Sequence, residues 1–275
     1  MTRIALFQST TGIDPATNAH ALVEAVEQAA EGGAEMLFTP EMSGLLDSNS
    51  ARAAKVRRPQ EEDVVLAACR EAARRHRIWL HIGSLAVLVD DGKVANRSFI
   101  IDREGEIRGT YDKLHLFDVD LPTGESWRES NVYSAGKDVV LVNGTPVGKL
   151  GLTICYDLRF PGLFARLAES DADVIAVPAA FTVPTGKAHW HVLLRARAIE
   201  AGLFVIAAAQ VGHHEDGRST YGHSLVIDPW GEVLLDMGEG TGVGFADIDL
   251  KRISDVRSRI PALNHRRPIP EPVTL

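Results

Sequence analysis

With 275 residues, 45% hydrophobic and 24% charged, the chain has the composition of a globular protein with room for a sizeable core, which excludes a largely disordered polypeptide. The formal net charge of -8 argues against DNA, RNA or an anionic membrane surface as partners, and no apolar run approaches the roughly 20 residues of a membrane helix. Two cysteines, Cys69 and Cys155, are too few for a disulfide framework, and the opening MTRIALFQST has no apolar signal core, so the expected compartment is the cytoplasm.

The first segment, RIALFQS, is short, apolar and β-prone and reads as a buried strand. Asp14 and Pro15 open a helix running to about Glu31, with Gly32-Gly33 as its stop. AEMLFTPE follows as a strand ending at Glu41. EEDVVLAACREAARRH repeats apolar residues at helical spacing, and IWLHIGSLAV is the next strand. This β–α–β–α–β order argues for an open α/β sheet.

Beyond it, LAVLVDDGKVANRSFIIDREGEIRGTYDK carries Asp-Gly and Glu-Gly turns between alternating strands, the mark of hairpins. Residues 114–137 have poor periodicity and read as a long connection, a kind of segment that often carries function. DVVLVNGTPVGKLGLTICYD is a further hairpin, signalled by Asn-Gly. A helix over Pro161–Ser170, a strand in ADVIAVP, a helix over Ala188–Ala201 and a strand in LFVIAAAQ come next. HSLVIDPWGEVLLDMG is a hairpin, and GVGFADIDL is a last strand leading into a short helix. The tail from about residue 259 is Pro-rich and extended. βαβ units mixed with hairpins predict mixed sheets, and with no repeat and no linker the whole of 1–275 reads as one domain.

Cys155 ends the apolar run KLGLTI, ahead of a turn and a helix, the place where open α/β sheets put their ligands. A helix N-terminus lowers a thiol pKa and makes a nucleophile, although a buried core cysteine fits the position equally well. Cys69 lies within an amphipathic helix and reads as core. Glu41, just past its apolar run, would face the same rim and could act as a general base; taken alone, a solvated loop glutamate is the commoner case. Lys113, in GTYDKLHLFD, could stabilise an oxyanion, or be one surface lysine among many.

The segments PEMS, YDKLHLFD and GLTICYDLRFP together resemble the three signature segments of the nitrilase superfamily, the carbon–nitrogen hydrolases. The resemblance puts that family's Glu–Lys–Cys set on Glu41, Lys113 and Cys155, in the family's order, and extends over nearly the whole chain. It implies an α/β fold of four layers, an αββα sandwich with mixed sheets, paired into a homodimer with the helices after Cys155 and around Arg195 near the interface. GESWRESNVYSAG resembles the segment carrying a second glutamate, which falls on Glu129 by the later Gly136, with Glu125 as competitor. The implied chemistry is hydrolysis of an amide. Glu41 takes the Cys155 proton, Lys113 and the Tyr156 N–H hold the oxyanion, and water releases a thioester.

Arg159, in CYDLRF, falls where related enzymes bind a substrate carboxylate, which suits a planar guanidinium; an arginine paired internally at a helix start is the other reading. FTVPTGKAHWHVLLRARAIE and AAAQVGHHEDGRSTYGHSLVIDPWGEV resemble the Nit branch, which implies a small carboxylate-bearing amide as substrate, deaminated glutathione first and 2-oxoglutaramate second. An N-carbamoyl amino acid hydrolase, a nitrilase, or a binding protein on an inactive hydrolase fold stay open beside it. No cofactor and no metal are expected: AHWH at 188–191 and His213-His214 read as loop or surface, and GEGTGVG lacks the strand-to-helix setting of a dinucleotide loop.

Overall fold

The computed structural model describes residues 1–89, 92–120 and 126–274. Side-chain alternation along the first strands sets the architecture. In β1 (Thr2–Gln8), Ile4 and Leu6 enter one buried cluster and Ala5 enters another. The helix α1 (Pro15–Glu31) is capped by the Asp14 carboxylate, which accepts from the Thr17 N–H, and the chain leaves it through Gly33 at φ 77°. In β2 (Met36–Phe38), Met36 and Phe38 join the cluster of Ile4, while Leu37 joins that of Ala5. Both strands are apolar on both faces, so the sheet they form is covered on both sides.

After the short α2 (Ser50–Ala53), α3 (Val64–His76) returns the chain to β3 (Trp79–Leu88), which hairpins into β4 (Val94–Ile101) and β5 (Ile107–Asp112). β1, β2 and β3 run parallel, and β4 and β5 continue the sheet antiparallel. A small hairpin, β6 (Asp118–Asp120) with β7 (Ser126–Arg128), stands apart, and β8 (Tyr133–Ser134) pairs with the start of β4.

The second sheet begins with the hairpin β9 (Leu141–Thr145) and β10 (Gly148–Leu152). It continues through α4 (Pro161–Glu169), β11 (Val174–Ala176), α5 (Val183–Ala201) and β12 (Phe204–Ala207), with β10, β11 and β12 parallel. A two-stranded flap, β13 (Val211–His213) and β14 (Ser219–Tyr221), precedes the closing hairpin β15 (Leu225–Ile227) and β16 (Val233–Asp236). β17 (Gly242–Ile248) then crosses back to pair antiparallel with β1 over its full length, and α6 (Lys251–Arg259) follows. Strand order is β17-β1-β2-β3-β4-β5 in one sheet and β16-β15-β12-β11-β10-β9 in the other.

α1 and α3 pack Leu22, Val26, Leu66 and Cys69 on the outer face of the first sheet. The second cluster runs from Ile4 and Phe38 through the second sheet to Leu167, Trp190 and Leu194 on α4 and α5. The order is helix, sheet, sheet, helix, the four layers expected from the sequence. Each fully buried Leu, Ile, Val or Phe in these clusters contributes about 1.5–3 kcal/mol of transfer free energy.

Several local expectations give way. The strand carrying Glu41 stops at Phe38, because Pro40 and the left-handed Met42 turn the chain out of the sheet. The hairpin turn between β9 and β10 falls on Pro146-Val147. Asn143-Gly144 instead lies within β9, with Gly144 at φ 74°, next to an irregular register. α5 starts at Val183, five residues early, with a proline accommodated in its first turn. Residues 114–137 hold β6, β7, a 3₁₀ turn at Glu129–Asn131 and β8 in their described part, so the connection is built rather than loose. The Asp91-Gly92 turn and Glu125 fall wholly or partly outside the described residues. Residues 260–274 form no helix or strand, and Arg266 ties that tail to Glu169 at 3.0 Å.

Candidate active site

The carboxyl ends of β1, β2, β10, β11 and β12 meet where the two sheets are stitched together. Ser9, just past β1, bridges Gln210, just past β12, and within the second sheet Ala179 bridges Ala209. The Gln210 amide donates to Thr11 Oγ1 at 2.7 Å and to the Glu41 carbonyl at 3.0 Å. Glu41 sits three residues past β2. Its loop presses on β3 so closely that a Cβ at Gly83 would lie 2.1 Å from the Thr39 carbonyl and 2.4 Å from that of Pro40. Ser84 Oγ accepts from the Met42 N–H at 2.8 Å and holds the same loop.

Lys113 leaves β5 with its N–H on the Asn96 carbonyl at 3.0 Å, and its own carbonyl accepts from Gly136 at 2.8 Å. Cys155 sits three residues past β10 in a left-handed conformation, φ 48°, which costs a non-glycine residue of order 1–3 kcal/mol. Its N–H donates to the Pro178 carbonyl at 2.9 Å. Buried Asp157 stabilises the turn that follows. One carboxylate oxygen accepts from the Ile154 N–H (2.8 Å) and the Tyr111 hydroxyl (2.7 Å), the other from the His115 N–H (3.1 Å) and Nδ1 (2.7 Å). The Cys155 turn and the Tyr111–His115 segment carrying Lys113 are therefore clamped to one carboxylate.

Lys113 Nζ lies 2.8 Å from Glu41 Oε1 and 3.0 and 3.2 Å from the two Glu129 oxygens. The Asn96 amide spans the same carboxylates, donating to Glu41 Oε1 at 3.0 Å and Glu129 Oε1 at 3.1 Å. The Ala180 N–H fixes the other Glu41 oxygen at 3.0 Å, and the Phe117 N–H fixes Glu129 at 2.6 Å. Burial opposes the charge on Glu41, but the Lys113 ammonium, with hydrogen bonds from Lys113 and Asn96, outweighs it and holds the carboxyl below its usual range. Burial likewise opposes the Lys113 charge, and the carboxylates of Glu129 and Glu41 override it, raising that pKa well above the lysine value.

Cys155 goes the other way. Burial first, and the Glu41 carboxylate second, push its thiol well up, with Lys113 only partly opposing them. The expectation of a thiol acidified by a helix start is corrected on this point. The element that starts at Cys155 is a five-residue 3₁₀ turn, and the α-helix begins only at Pro161. At rest the group is a neutral thiol beside an ionised carboxylate and an ammonium. Cys69 is buried in α3 and its thiol is pushed up to about 12, as befits a core cysteine.

These residues open on a pocket of about 880 Å³ whose wall includes Glu41, Lys113, Glu129, Cys155, Tyr156 and Arg159. The structure thus brings together all six residues singled out in the sequence. Among the described residues Arg159 has no carboxylate partner. Its Nη1 lies 3.3 Å from His189 Nδ1 and its Cζ 5.4 Å over the Phe181 ring. The Tyr156 ring is held edge-on between Phe117 and Phe160.

His189 and His213 are exposed, in line with the surface expectation, whereas His191 is half-buried and His214 buried. His189 and His191 lie in α5, and His214 is buried between the Thr11 carbonyl and Thr220 Oγ1. His191 and His223 both bond Asp236, at 3.0 and 2.9 Å, a three-ligand grouping that no sequence spacing announces. Asn96, Asp157 and Gln210 were also missed. The available signal was a polar residue in an apolar strand for Asn96, and closeness to the nucleophile for Asp157.

Residues 3–258 match the sequence model of the carbon–nitrogen hydrolases. The chain is 41% identical over 274 residues to the deaminated glutathione amidase of Dictyostelium discoideum, covering 96% of this chain and 94% of that protein. The NitFhit protein of C. elegans superposes with a TM-score of 0.89 at 39% identity over 97% of this chain; the chain spans 65% of that longer protein. An amidase mutant from Nesterenkonia sp. AN1, with acrylamide added to its active site cysteine by Michael addition, superposes with a TM-score of 0.79 at 26% identity, over 95% of this chain and 98% of that one. The chain belongs to the carbon–nitrogen hydrolase family.

Proposed function

We propose that this amidase hydrolyses deaminated glutathione to 2-oxoglutarate and cysteinylglycine through a thioester on Cys155. The observation that carries the reading is the buried Glu41–Lys113–Glu129 group beside the Cys155 thiol. The 41% identical relative named for that substrate supports the choice of amide.

Each step follows from the charge states. The thiol is neutral at rest, so Glu41 takes its proton as the sulfur attacks the amide carbonyl. Negative charge then grows on the carbonyl oxygen, where Lys113 and the Tyr156 N–H receive it; losing one such donor costs roughly 100- to 1000-fold in rate. Glu41, now protonated, gives its proton to the leaving nitrogen and cysteinylglycine departs. A water deprotonated by Glu41 attacks the thioester, 2-oxoglutarate leaves, and the proton returns to the sulfur. Glu129 and Asn96 hold the ammonium and the base in place, and Arg159 holds the 2-oxo acid carboxylate of the acyl group.

The chemistry calls for no metal and no cofactor, and 1–275 is read as one catalytic domain because both sheets contribute to the pocket. A homodimer is supported by exposed apolar side chains on α5 and the neighbouring Trp230 turn. A cytoplasmic setting is supported by two free, buried cysteines. Among the described residues no helix is long and apolar enough to cross a membrane.

The test is a comparison of kcat/KM for deaminated glutathione, 2-oxoglutaramate, an N-carbamoyl amino acid and a nitrile, with Cys155→Ala as the inactive control. Deaminated glutathione is expected to lead. Preference for 2-oxoglutaramate would make the protein an ω-amidase, and turnover by Cys155→Ala would remove the thioester.

A further inference from the structure

The pocket wall carries a guanidinium that the steps above leave without a task. Arg57 follows α2 and is only 6% exposed. Arginine is rarely buried without an acid, because desolvating the charge is costly. Among the described residues, the Arg57 guanidinium makes no ion pair and no hydrogen bond, and its Nε is buried without a partner. Two acids lining or flanking the same end of the pocket are engaged elsewhere: Asp47 accepts from Arg52 at 2.7 and 2.8 Å, and Asp216 from Arg218 at 2.7 Å. What Arg57 has is the face of Tyr133, 5.5 Å from its Cζ to the ring centroid, which recovers only part of the desolvation cost.

A second donor repeats the pattern. The Trp127 Nε1 is buried without a partner among the described residues, and the Arg218 guanidinium lies 4.8 Å over its ring. Arg57, Tyr133, Trp127 and Arg218 all line the pocket that holds Cys155. Buried donors without a partner among the described residues, with guanidinium groups beside them in the pocket lining, suit an anionic group that arrives with the substrate. A carboxylate fits the planar fork of an arginine with two parallel hydrogen bonds.

The location says which end of the substrate arrives there. The Tyr133 hydroxyl lies 4.0 Å from Met42 Sδ, so Arg57 stands on the side of the pocket formed by the Glu41 loop. Glu41 delivers the proton to the leaving nitrogen, and the leaving group therefore lies toward its side. Arg159, by contrast, is carried on the turn of the nucleophile, which keeps the acyl group.

We propose that Arg57 binds the carboxylate of the leaving group, so that the enzyme selects amides bearing a carboxylate at each end. This rests on the function proposed above and names a specificity residue for it. The experiment compares deaminated glutathione with its C-terminal primary amide, in which cysteinylglycinamide is the leaving group. Wild-type protein should favour the acid in kcat/KM by roughly 10- to 100-fold, the range of a hydrogen bond to a charged group, chiefly through KM. Arg57→Gln should bring that ratio towards one, and Arg57→Lys should fall between.

A wild-type ratio near one, or a ratio that Arg57→Gln retains, overturns the assignment; an equal loss on both substrates makes Arg57 structural and overturns it too. The wild-type ratio and Arg57→Lys decide the matter if Arg57→Gln does not fold. If wild-type protein turns over neither compound, the proposed function itself fails, which is a different result from an unaltered ratio.

Discussion

One ammonium between two carboxylates is the electrostatic centre of the site, and its removal has two consequences. Lys113→Met takes away an oxyanion donor and leaves Glu41 and Glu129 buried without their cation. We expect kcat to fall roughly 100- to 1000-fold. We also expect a loss of roughly 3–5 kcal/mol in stability, the usual cost of breaking a buried pair from one side, read from urea unfolding. A kcat loss at full stability would mean that the pairing is weaker than its geometry. The pH profile follows from the same charges. The Glu41 carboxyl is held below its usual range and the Cys155 thiol well above its own. Activity needs the base ionised, so kcat/KM should stay flat through neutrality and fall only in acid, below the ordinary carboxylate value of about 4.3. For stability the sign agrees: the contribution of Glu41 is present above its unfolded pKa and is lost as pH drops through the lower folded one. An acid limb near pH 7 would point to another base.

At the scale of elements, the site depends on how tightly loops are pressed together. Asp157 gathers four donors from two segments, and no solvent reaches that carboxylate. Asp157→Asn keeps the shape but turns one acceptor atom into a donor, facing two groups that need an acceptor. The expected cost is roughly 2–6 kcal/mol, about 1–3 for each group left unsatisfied, measured by denaturant unfolding. A change below about 1 kcal/mol would show that the clamp is not what holds the Cys155 turn. Gly83 and Gly136 belong to the same design. A Cβ at Gly136 would come within 2.0 Å of the Asp112 carbonyl, just before Lys113, as one at Gly83 would strike the loop of Glu41.

At the scale of the molecule, α5 has two duties. Its inner face buries Trp190 and Leu194, and its first turn brings Thr185 to the pocket. Its outer face leaves Val192 67% and Ile199 52% exposed beside Trp230 at 51%, and Arg195 Nε ties the helix to Gly231 of that turn at 2.8 Å. Exposed apolar side chains of this size on one helix and the turn tied to it suit a second copy of the chain. Sedimentation should find a dimer or a higher oligomer of wild-type protein and a smaller species for Ile199→Asp, with activity reduced because α5 supports the pocket. A wild-type monomer would refute the pairing.

Periodicity along the chain determined where most helices and strands lie, since apolar alternation and the signals at Asp14, Pro15 and Gly33 are local. Short motifs at strand ends likewise marked Glu41, Lys113 and Cys155, because the resemblance rests on residues adjacent in sequence. The tertiary structure alone decided what those residues are to one another. Glu41 and Lys113 are 72 positions apart yet share a proton-bearing contact at 2.8 Å, and Asn96 on β4 and Gln210 between β12 and β13 hold the base and its backbone. The ends of strands also differ from expectation: β2 stops at Phe38 because Pro40 and the left-handed Met42 turn the chain away, and Asn143-Gly144 lies within β9 next to an irregular register with β10. The raised thiol of Cys155 and the guanidinium of Arg57, without a partner among the described residues, depend on burial and on which charges lie within reach, quantities that exist only once the two sheets have closed on one another.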